Sequence, residues 1–308
     1  MAISVSDIKE LMKSTGVGMM DCKKALVEAD GDKEKALVVL REKGLATQAK
    51  KAGRVAAEGI ARAFSAPAKK IAAVVEVNSE TDFCAKNPEF GAFVDVVLQT
   101  VLEKNPTDVP ALLETVAVGS DKPVKEVLQD VFMKIRENIS IRRFIRTEGT
   151  SAAYTHGNGS VGVLVNYETD IADTDAVNAV AKDLAMQVCA LSPAYLTSSE
   201  VPEDVIEQEK SIAKTQLEED EKMKNKPASV IENIINGKIK KFYSENCLLE
   251  QTFVKDNEVT AGKYVENSAK ALGGTITIKS FVRIGLGEGI EKKSDNFADE
   301  VAKMTGGN

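Results

Sequence analysis

The side chains best suited to catalysis are one histidine, His156, and four cysteines, which are Cys22, Cys84, Cys189 and Cys247. A single histidine excludes every active site that needs two. Cys22 and Cys189 fall on apolar helix faces, which favours a place in the core. Cys84 follows a phenylalanine in a polar turn and could be exposed, so a cysteine–histidine pair acting as nucleophile and base stays open. The cysteines form no CxxC pair, which is typical of reduced thiols.

The glycine-rich segment GLGEG, residues 285–289, follows an apolar strand and superficially resembles a dinucleotide-binding loop. Its third glycine comes one residue too early for GxGxxG, and the next helix is capped by Ser294 instead. A phosphate cradle needs the loop and the helix to be continuous. No GxxxxGK[ST] motif and no dense His/Cys/Asp cluster for a metal is present. The sequence therefore predicts no cofactor, and binding rather than catalysis is the default function.

The composition is that of a soluble globular protein with 308 residues, 43% hydrophobic and 28% charged. The net charge of −7 argues against a general nucleic-acid partner. No segment approaches the roughly 18 apolar residues of a membrane span. The N-terminal residues lack the apolar stretch of a signal peptide. We expect a cytoplasmic protein that binds neither nucleic acid nor membrane.

One large apolar residue lies in a segment whose other side chains are mostly polar. The segment NSETDFCAK, residues 78–86, follows the buried strand Ile71–Val77 and places Phe83 among polar side chains. The ring either folds back onto Phe90 or the sheet, or it projects as an anchor for a partner. Aromatic anchors dominate the energetics of interfaces. An internal repeat in the sequence supports the anchor, because Ile171 occupies the corresponding position and the fold therefore needs no aromatic ring there.

The repeat consists of a strand, a Glu-Thr-Asp turn and a helix, found twice. The strands are Ile71–Val77 and Val161–Val165. The apolar positions of both helices have the same offsets, and they are Phe90, Phe93, Val94, Val97 and Val101 in the first and Val177, Val180, Ala181, Leu184 and Val188 in the second. The spacing predicts two α+β halves, each with a helix packed on a sheet.

Three short helices precede this core. Ser6 is predicted to cap the first, the second runs from about Met19 to Ala29, and Asp32 caps the third, which Gly44 closes. The apolar faces are predicted to hold Ile8, Leu11 and Met12, then Met19, Cys22, Leu26 and Ala29, and finally Ala36, Leu37 and Leu40. Residues 49–54, AKKAGR, are predicted to be a linker. Three helices in about 45 residues make a marginal core.

Further elements complete the chain. A helix is predicted over Pro123–Glu137, and strands over Ile139–Ile145, with Ile139, Ile141 and Ile145 on one face, and over Thr275–Ile284, with Ile276, Ile278, Val282 and Ile284 inward. Residues 203–243 predict two amphipathic helices in a hairpin, turning at Asn225–Pro227. The apolar stripe of the second helix favours either a projecting arm or a hairpin packed on its own core. The stripe consists of Val230, Ile231, Ile234, Ile235, Ile239 and Phe242. A last helix is predicted over Ser294–Met304.

Several motifs, in this order, resemble the bacterial elongation factor Ts family over essentially the whole chain. They are TGVGMMDCKKAL (15–26), KKAGRVAAEG (50–59), EVNSETDF (76–83), ENISIRR (137–143), YTHG (154–157) and GEGIEK (287–292). Two departures concern local geometry only: Cys84 where valine is expected, and a slightly long glycine-rich loop after His156.

The resemblance implies an α+β fold with an N-terminal three-helix module like the ubiquitin-associated type, a duplicated α+β core, a helical coiled-coil hairpin and a C-terminal helix. The implied domains are 1–54 for the module and linker, 55–147 and 148–284 for the core halves, with the hairpin 203–243 inside the second, and 285–308 for the C-terminal helix.

The resemblance also implies a function. Family members are guanine-nucleotide exchange factors that bind elongation factor Tu with GDP and promote GDP release in translation elongation; they are not enzymes. Thr81, Asp82 and Phe83 match the turn that the family inserts into its partner, and His156 matches a second contact nearby. Met19 and Met20 match the part of the module that contacts another helix of the partner. The incompletely hidden apolar stripe of the hairpin separately suggests a homodimer through the core or the hairpin.

Overall fold

The computed structural model describes residues 3–219 and 226–291. The predicted helix at 294–304 and Asn225 of the predicted hairpin turn lie outside these residues. The fold is mixed helix and sheet, as predicted. Among the described residues, no helix has both the length and the apolar character needed to cross a membrane.

The helices and strands follow one another in an order that alternates helical and sheet segments. The helices are α1 Val5–Thr15, α2 Met19–Glu28, α3 Lys33–Lys51, α4 Asp82–Ala85, α5 Pro88–Lys104, α6 Val109–Glu114, α7 Val124–Ile135, α8 Thr174–Leu191, α9 Glu203–Glu219, α10 Ala228–Asn246 and α11 Ala261–Ala271. The strands are β1 Glu58–Ala66, β2 Ile71–Ser79, β3 Ser140–Glu148, β4 Thr150–His156, β5 Val161–Thr169, β6 Thr252–Phe253, β7 Asp256–Thr260 and β8 Ile276–Gly285.

The first three helices enclose a small core, as predicted, but two capping assignments were wrong. Ser4, not Ser6, caps α1, because its hydroxyl accepts the backbone N–H of Asp7 at 3.1 Å. Asp32 caps α3 as predicted. Gly44 does not close α3, because the helix continues to Lys51 and so includes the first residues of the predicted linker.

Gly44 is buried because α3 packs on α7 there. A methyl group on Gly44 would lie 2.1 Å from the sulfur of Met133, which itself belongs to the N-terminal core cluster. Since the buried face of α3 is formed by Ala36, Leu40 and Gly44, Leu37 lies off that face and is 40% exposed, contrary to the prediction. The three helices are therefore joined to the core by side-chain packing as well as by the chain.

Two three-stranded antiparallel sheets form the centre of the molecule, with strand orders β1-β2-β3 and β4-β5-β8. Helices α5 and α7 cover the first sheet, and α8 and α11 cover the second. All ten predicted apolar positions of α5 and α8 are buried. The predicted strands Ile71–Val77 and Val161–Val165 are confirmed and extend to Ser79 and Thr169.

A β-bulge in each sheet changes which residues face the helices. The pairing of β2 with β3 shifts between Glu76 and Val77, so Ile141 is buried but Ile145 is 41% exposed, contrary to the prediction that they share a face. In the second sheet the pairing shifts between Asn166 and Tyr167. As a result Ile276 and Ile278 pack toward the helices, whereas Val282 and Ile284 pack between the sheets. One extra residue reverses the alternation of a strand.

The sheets meet through a small apolar cluster and through one pair of edges. Ala61, Ala72, Val74, Leu164 and Ile284 fill the space between them. At the edges, the backbone N–H of Ala63 donates to the hydroxyl of Thr155 at 3.0 Å, and the hydroxyl of Ser65 donates to the carbonyl of Ser151 at 2.6 Å. These bonds satisfy backbone groups that an open strand edge would leave unpaired.

Glu76 is a fully buried carboxylate that ties the loop after β8 to the first sheet. It accepts hydrogen bonds from Arg142 at 3.0 Å, Arg143 at 2.6 Å and the backbone N–H of Gly287 at 2.8 Å. Burial alone raises the pKa of Glu76, but the Gly287 amide and the two guanidinium groups outweigh burial and hold that pKa below its ordinary value.

Helices α9 and α10 contact each other, as the hairpin prediction requires. Ala213 and Leu217 of α9 and Ile239 of α10 are buried between them. The rest of the stripe is less covered: Val230 is 37% exposed. The neighbouring Ile231, Ile234, Ile235 and Phe242 are half-buried.

Candidate protein-binding site

Phe83 is the most exposed of the large hydrophobic side chains that the structure describes, with 81% of its surface accessible. It is the second residue of the short helix α4, which follows the end of β2 directly. A ring that is 81% exposed is not packed on Phe90 or on the sheet, which excludes the alternative in which it folds back. Phe90 is fully buried by other side chains. The ring projects from a polar turn, as the anchor interpretation predicts.

A set of hydrogen bonds holds the turn beneath the ring. The hydroxyl of Thr81 accepts the backbone N–H of Cys84 at 3.2 Å and caps α4. The same threonine donates to the Glu137 carboxylate twice, from its N–H at 3.0 Å and from its hydroxyl at 2.7 Å. The Glu80 carboxylate accepts the N–H of Asn138 at 2.6 Å. Phe83 therefore extends from a turn that these hydrogen bonds hold in one conformation.

Cys84 points the opposite way from Phe83. It is only 3% exposed, so the expectation that this thiol could be exposed was wrong. Burial, assisted by the negative charge of Glu137, raises the pKa of Cys84 to about 11. Because only the thiolate is a good nucleophile, a thiol in this environment is poorly suited to covalent catalysis.

Asp82 lies beside the ring with a charged partner. Lys86 donates to its carboxylate at 2.6 Å, and this hydrogen bond holds the pKa of Asp82 below its ordinary value. Both side chains are more than half exposed. The residue is therefore ionised at neutral pH and accessible to a partner.

In the corresponding turn of the second half, the apolar side chain points into the core instead of into solvent. Ile171 is buried in the second core, with 9% of its surface exposed. The Asp170 carboxylate accepts the backbone N–H of Thr275 at 2.6 Å, and this bond lowers the pKa of Asp170. An apolar residue in this position can evidently pack inward, so the exposure of Phe83 is not imposed by the strand–turn–helix arrangement.

His156 is exposed at the end of β4, and its turn contacts the same end of β1 as α4 does. The carbonyl of Gly159 accepts the N–H of Ala61 at 2.7 Å, and a methyl group on Gly159 would lie 2.6 Å from Ile60. Ile60 belongs to the same core cluster as Cys84, and α4 contacts β1. The structure therefore brings His156 and the Phe83 turn to one end of the first sheet.

Met19 and Met20 begin α2 and are 48% and 63% exposed, so the prediction that Met19 belongs to the buried face was wrong. Their helix is attached to the core by Asp21, whose carboxylate accepts from Arg136 at 2.7 Å. Arg136 immediately precedes Glu137, the residue that holds Thr81. A single short segment after α7 thus fixes both α2 and the turn below Phe83.

Sequence reasoning missed the supporting residues. Glu137 lies 56 positions from Thr81, and nothing in the sequence signals that pair. Tyr154, whose hydroxyl lies 2.8 Å from Nδ1 of His156, could have been found, since residues two apart on a strand share a face. The GLGEG loop is not a phosphate cradle, because the Gly287 amide already binds Glu76.

Exposed side chains on fixed backbone are the features expected of a protein that binds a partner. Within residues 3–219 and 226–291, no group of three or more His, Cys, Asp or Glu side chains could hold a metal ion. The exposed anchor, the ionised Asp82 and the exposed His156 are instead typical of an interface.

Comparison with known proteins agrees with this class. The family described as "Elongation factor TS" matches residues 80–288. The elongation factor Ts of Clostridium botulinum (strain Eklund 17B / Type B) is 45% identical over 307 residues, which cover 99% of both chains. Those of Clostridium perfringens (strain 13 / Type A) and Trichlorobacter lovleyi are each 45% identical, again over 99% of both chains.

The chain therefore belongs to the elongation factor Ts family, as its motifs indicated. Membership makes it an elongation factor of protein biosynthesis with the role of a nucleotide exchange factor. The partner that the family implies is elongation factor Tu.

Proposed function

We propose that this protein binds elongation factor Tu·GDP and promotes GDP release by inserting Asp82 and Phe83 as a wedge that disturbs the Mg²⁺ and phosphate contacts of the nucleotide. The observation that carries the proposal is the phenyl ring of Phe83, 81% exposed on a turn fixed by Thr81 and Glu137. No bond is made or broken, so the protein is not an enzyme in the chemical sense.

The mechanism is a thermodynamic coupling between two ligands of one protein. If the wedge fits only the disturbed form of elongation factor Tu, it weakens GDP binding by the same factor by which GDP weakens binding of the wedge. Burying a phenyl ring is worth roughly 1.5–3 kcal/mol. Since about 1.4 kcal/mol corresponds to a factor of ten, Phe83 supplies about one to two such factors, and other contacts supply the rest.

Two further contacts complete the proposed interface. His156 lies at the same end of the first sheet as Phe83 and is exposed, which suits a second contact close to the wedge. Met19 and Met20 offer flexible apolar side chains on α2, which suit contact with another helix of the partner. Thr81 contributes by holding the wedge.

The proposed domain organisation follows the predicted ranges. The identical helix offsets and the two similar sheets support a duplicated core at 55–147 and 148–284. In the proposed organisation, a ubiquitin-associated-like module and linker at 1–54 precede the core, and the C-terminal segment 285–308, for which the sequence predicts a helix, follows it. The incompletely covered stripe of the coiled-coil hairpin 203–243 supports contacts outside the exchange site, including a homodimer through the hairpin or the core. We propose a cytoplasmic location and, from the net charge of −7, no nucleic-acid partner.

Phe83→Ala tests the wedge. GDP release from elongation factor Tu, followed by stopped-flow with a fluorescent GDP, is expected to be at least about tenfold slower, one factor of the coupling, with unfolding unchanged because the ring makes little contact with its own chain. Phe64→Ala is the matched control, since Phe64 is also exposed, at 44%, but lies toward the other end of β1. An unchanged release rate with Phe83→Ala refutes the wedge.

A passive scaffold that only holds elongation factor Tu is the alternative, and the compact three-helix module with its exposed methionines favours it. Release measured at substoichiometric amounts of this protein separates the two. A true exchange factor accelerates release from many molecules of partner in succession, whereas a passive binder has no effect beyond its own concentration.

A further inference from the structure

The hydroxyl of Tyr154 and the ring of His156 form a pair at the end of β4, on the face of the strand that packs toward α8. The phenolic oxygen lies 2.8 Å from Nδ1, and the two ring centroids are 5.9 Å apart with a tilt of 47°. His156 is exposed, whereas Tyr154 is half-buried and packs against the second core cluster. A side chain anchored in the core thus contacts one that faces solvent.

The backbone on the other side of His156 is also fixed. Its carbonyl accepts the N–H groups of Gly159 and Ser160, at 3.0 Å and 3.2 Å, in the turn that packs against Ile60. With the backbone held, the remaining freedom of His156 lies in its side-chain torsions and in the choice of which ring nitrogen carries the proton. The hydrogen bond with the Tyr154 hydroxyl restricts both the side-chain torsions and the position of the proton.

We infer that Tyr154 is a positioning residue that selects the tautomer of His156. A phenol is the more acidic group and a neutral imidazole nitrogen the better acceptor, so the hydroxyl donates to Nδ1. The proton of the neutral ring then resides on Nε2, which points away from the pair. His156 therefore presents an N–H donor to the partner, and the group that fits it is a carbonyl or carboxylate oxygen.

This inference rests on the proposed function for its effect on exchange, but the tautomer itself is a property of the free protein. Because His156 is the only histidine, ¹⁵N NMR of the uniformly labelled protein reports its two ring nitrogens without overlap. The measurement is made at a pH above which the ring ¹⁵N shifts no longer change, so that only the neutral ring is observed.

The test variant is Tyr154→Phe, which keeps the ring in the core and removes only the hydroxyl. We expect the unmodified protein to show Nε2–H as the dominant form and Tyr154→Phe to show both tautomers. Tyr264→Phe is the matched control, because its hydroxyl donates to Asp183 at 2.7 Å within the same core cluster but does not contact His156. It should leave the tautomer unchanged.

The exchange assay supplies the second measurement. A hydrogen bond of ordinary net strength predicts that Tyr154→Phe slows GDP release by about threefold to tenfold. Adding Tyr154→Phe to His156→Ala should cause no further slowing, because the hydroxyl then has nothing to position.

The outcomes are separable. Equal tautomer populations in the unmodified protein and in Tyr154→Phe overturn the inference, as does an equal slowing by Tyr154→Phe with and without His156. If His156→Ala leaves GDP release unchanged, the proposed role of His156 in exchange fails, while the NMR result still decides whether Tyr154 selects the tautomer.

Discussion

At the scale of single residues, Phe83 and Ile171 show the contrast on which the proposed function depends. Ile171 gains the free energy of burial in its own core, whereas Phe83 leaves its ring in water and forgoes roughly 1.5–3 kcal/mol. A folded chain gains nothing from an apolar ring held in solvent. The free energy becomes available when a partner covers the ring, which is why its exposure is useful in a binding protein.

Thr81 links the stability of the turn to its proposed activity. Thr81→Val keeps the size of the side chain but removes the cap of α4 and the hydroxyl donor to Glu137. We expect a loss of about 1 kcal/mol in the free energy of unfolding. We also expect GDP release slowed by about threefold to tenfold, the equivalent of one ordinary hydrogen bond.

The control for Thr81→Val is Thr260→Val. Thr260 caps α11 in the same way, accepting the N–H of Lys263 at 3.2 Å, but lies in the second half. Urea unfolding should show a loss for both variants, larger for Thr81→Val because it also removes the hydrogen bond to Glu137, and only Thr81→Val should slow release. Equal slowing by both would mean that general stability, not the turn, controls exchange.

The sequence predicts some residues well and others poorly for identifiable reasons. Phe83 could be recognised because an aromatic ring among polar residues breaks the local pattern. Cys84 was misjudged because a helix of four residues is too short to show a periodicity. Glu137 was invisible as a support because its contact with Thr81 depends on how α7 returns to the sheet.

At the scale of elements, long periodic helices were predictable and local irregularities were not. The apolar faces of α5 and α8 follow from spacing alone. The two bulges do not, since a single extra residue leaves no compositional trace but moves Ile145 to the surface. Gly44 was predicted to end α3 because glycine often follows the last residue of a helix. Here the absence of a side chain on Gly44 instead leaves space for Met133 of α7.

Gly237 offers a test of the hairpin. It lies inside α10, and a methyl group there would meet nothing within 4 Å. Gly237→Ala should therefore stabilise the helix by about 1 kcal/mol. Hydrogen exchange of the α10 amides should slow by about fivefold, and GDP release should not change if the hairpin acts outside the exchange site.

Gly262→Ala is the matched counterpart in α11. There the added methyl group would lie 2.7 Å from the carbonyl oxygen of Leu249, so the same substitution should destabilise. We expect the free energy of unfolding to rise in Gly237→Ala and to fall in Gly262→Ala. A slower GDP release with Gly237→Ala would place the hairpin within the exchange mechanism and contradict the proposal.

At the scale of the whole molecule, Glu76 joins segments that are far apart in the sequence. Its folded pKa lies below the ordinary glutamate value of 4.5, so its stabilisation is fully present above that value and is lost as the pH falls through the folded pKa. Glu76→Gln leaves two guanidinium groups without their carboxylate. Both guanidinium groups are partly exposed and also donate to backbone carbonyls, so we expect a cost of about 1.5–3 kcal/mol at neutral pH, that of hydrogen bonds to a charged group.

The same variant should change the pH dependence of stability. Between about pH 5 and pH 3 the free energy of unfolding should fall less steeply in Glu76→Gln than in the unmodified protein, because glutamine has no proton to bind. Glu148→Gln is the control, since the Glu148 side chain is 77% exposed and pairs with Arg146 at the surface. If both variants retain the unmodified slope, Glu76 does not govern acid stability.

The buried thiol behind Phe83 has a practical consequence for spectroscopy. Cys22, Cys84 and Cys247 are all buried, Cys189 is half-buried, and burial raises the pKa of each. Maleimide dyes react with accessible thiolates, so the native cysteines should label slowly. A cysteine introduced at an exposed position such as Val254 can then carry a fluorophore selectively, and energy transfer to a labelled partner would report docking in real time without removing any natural cysteine.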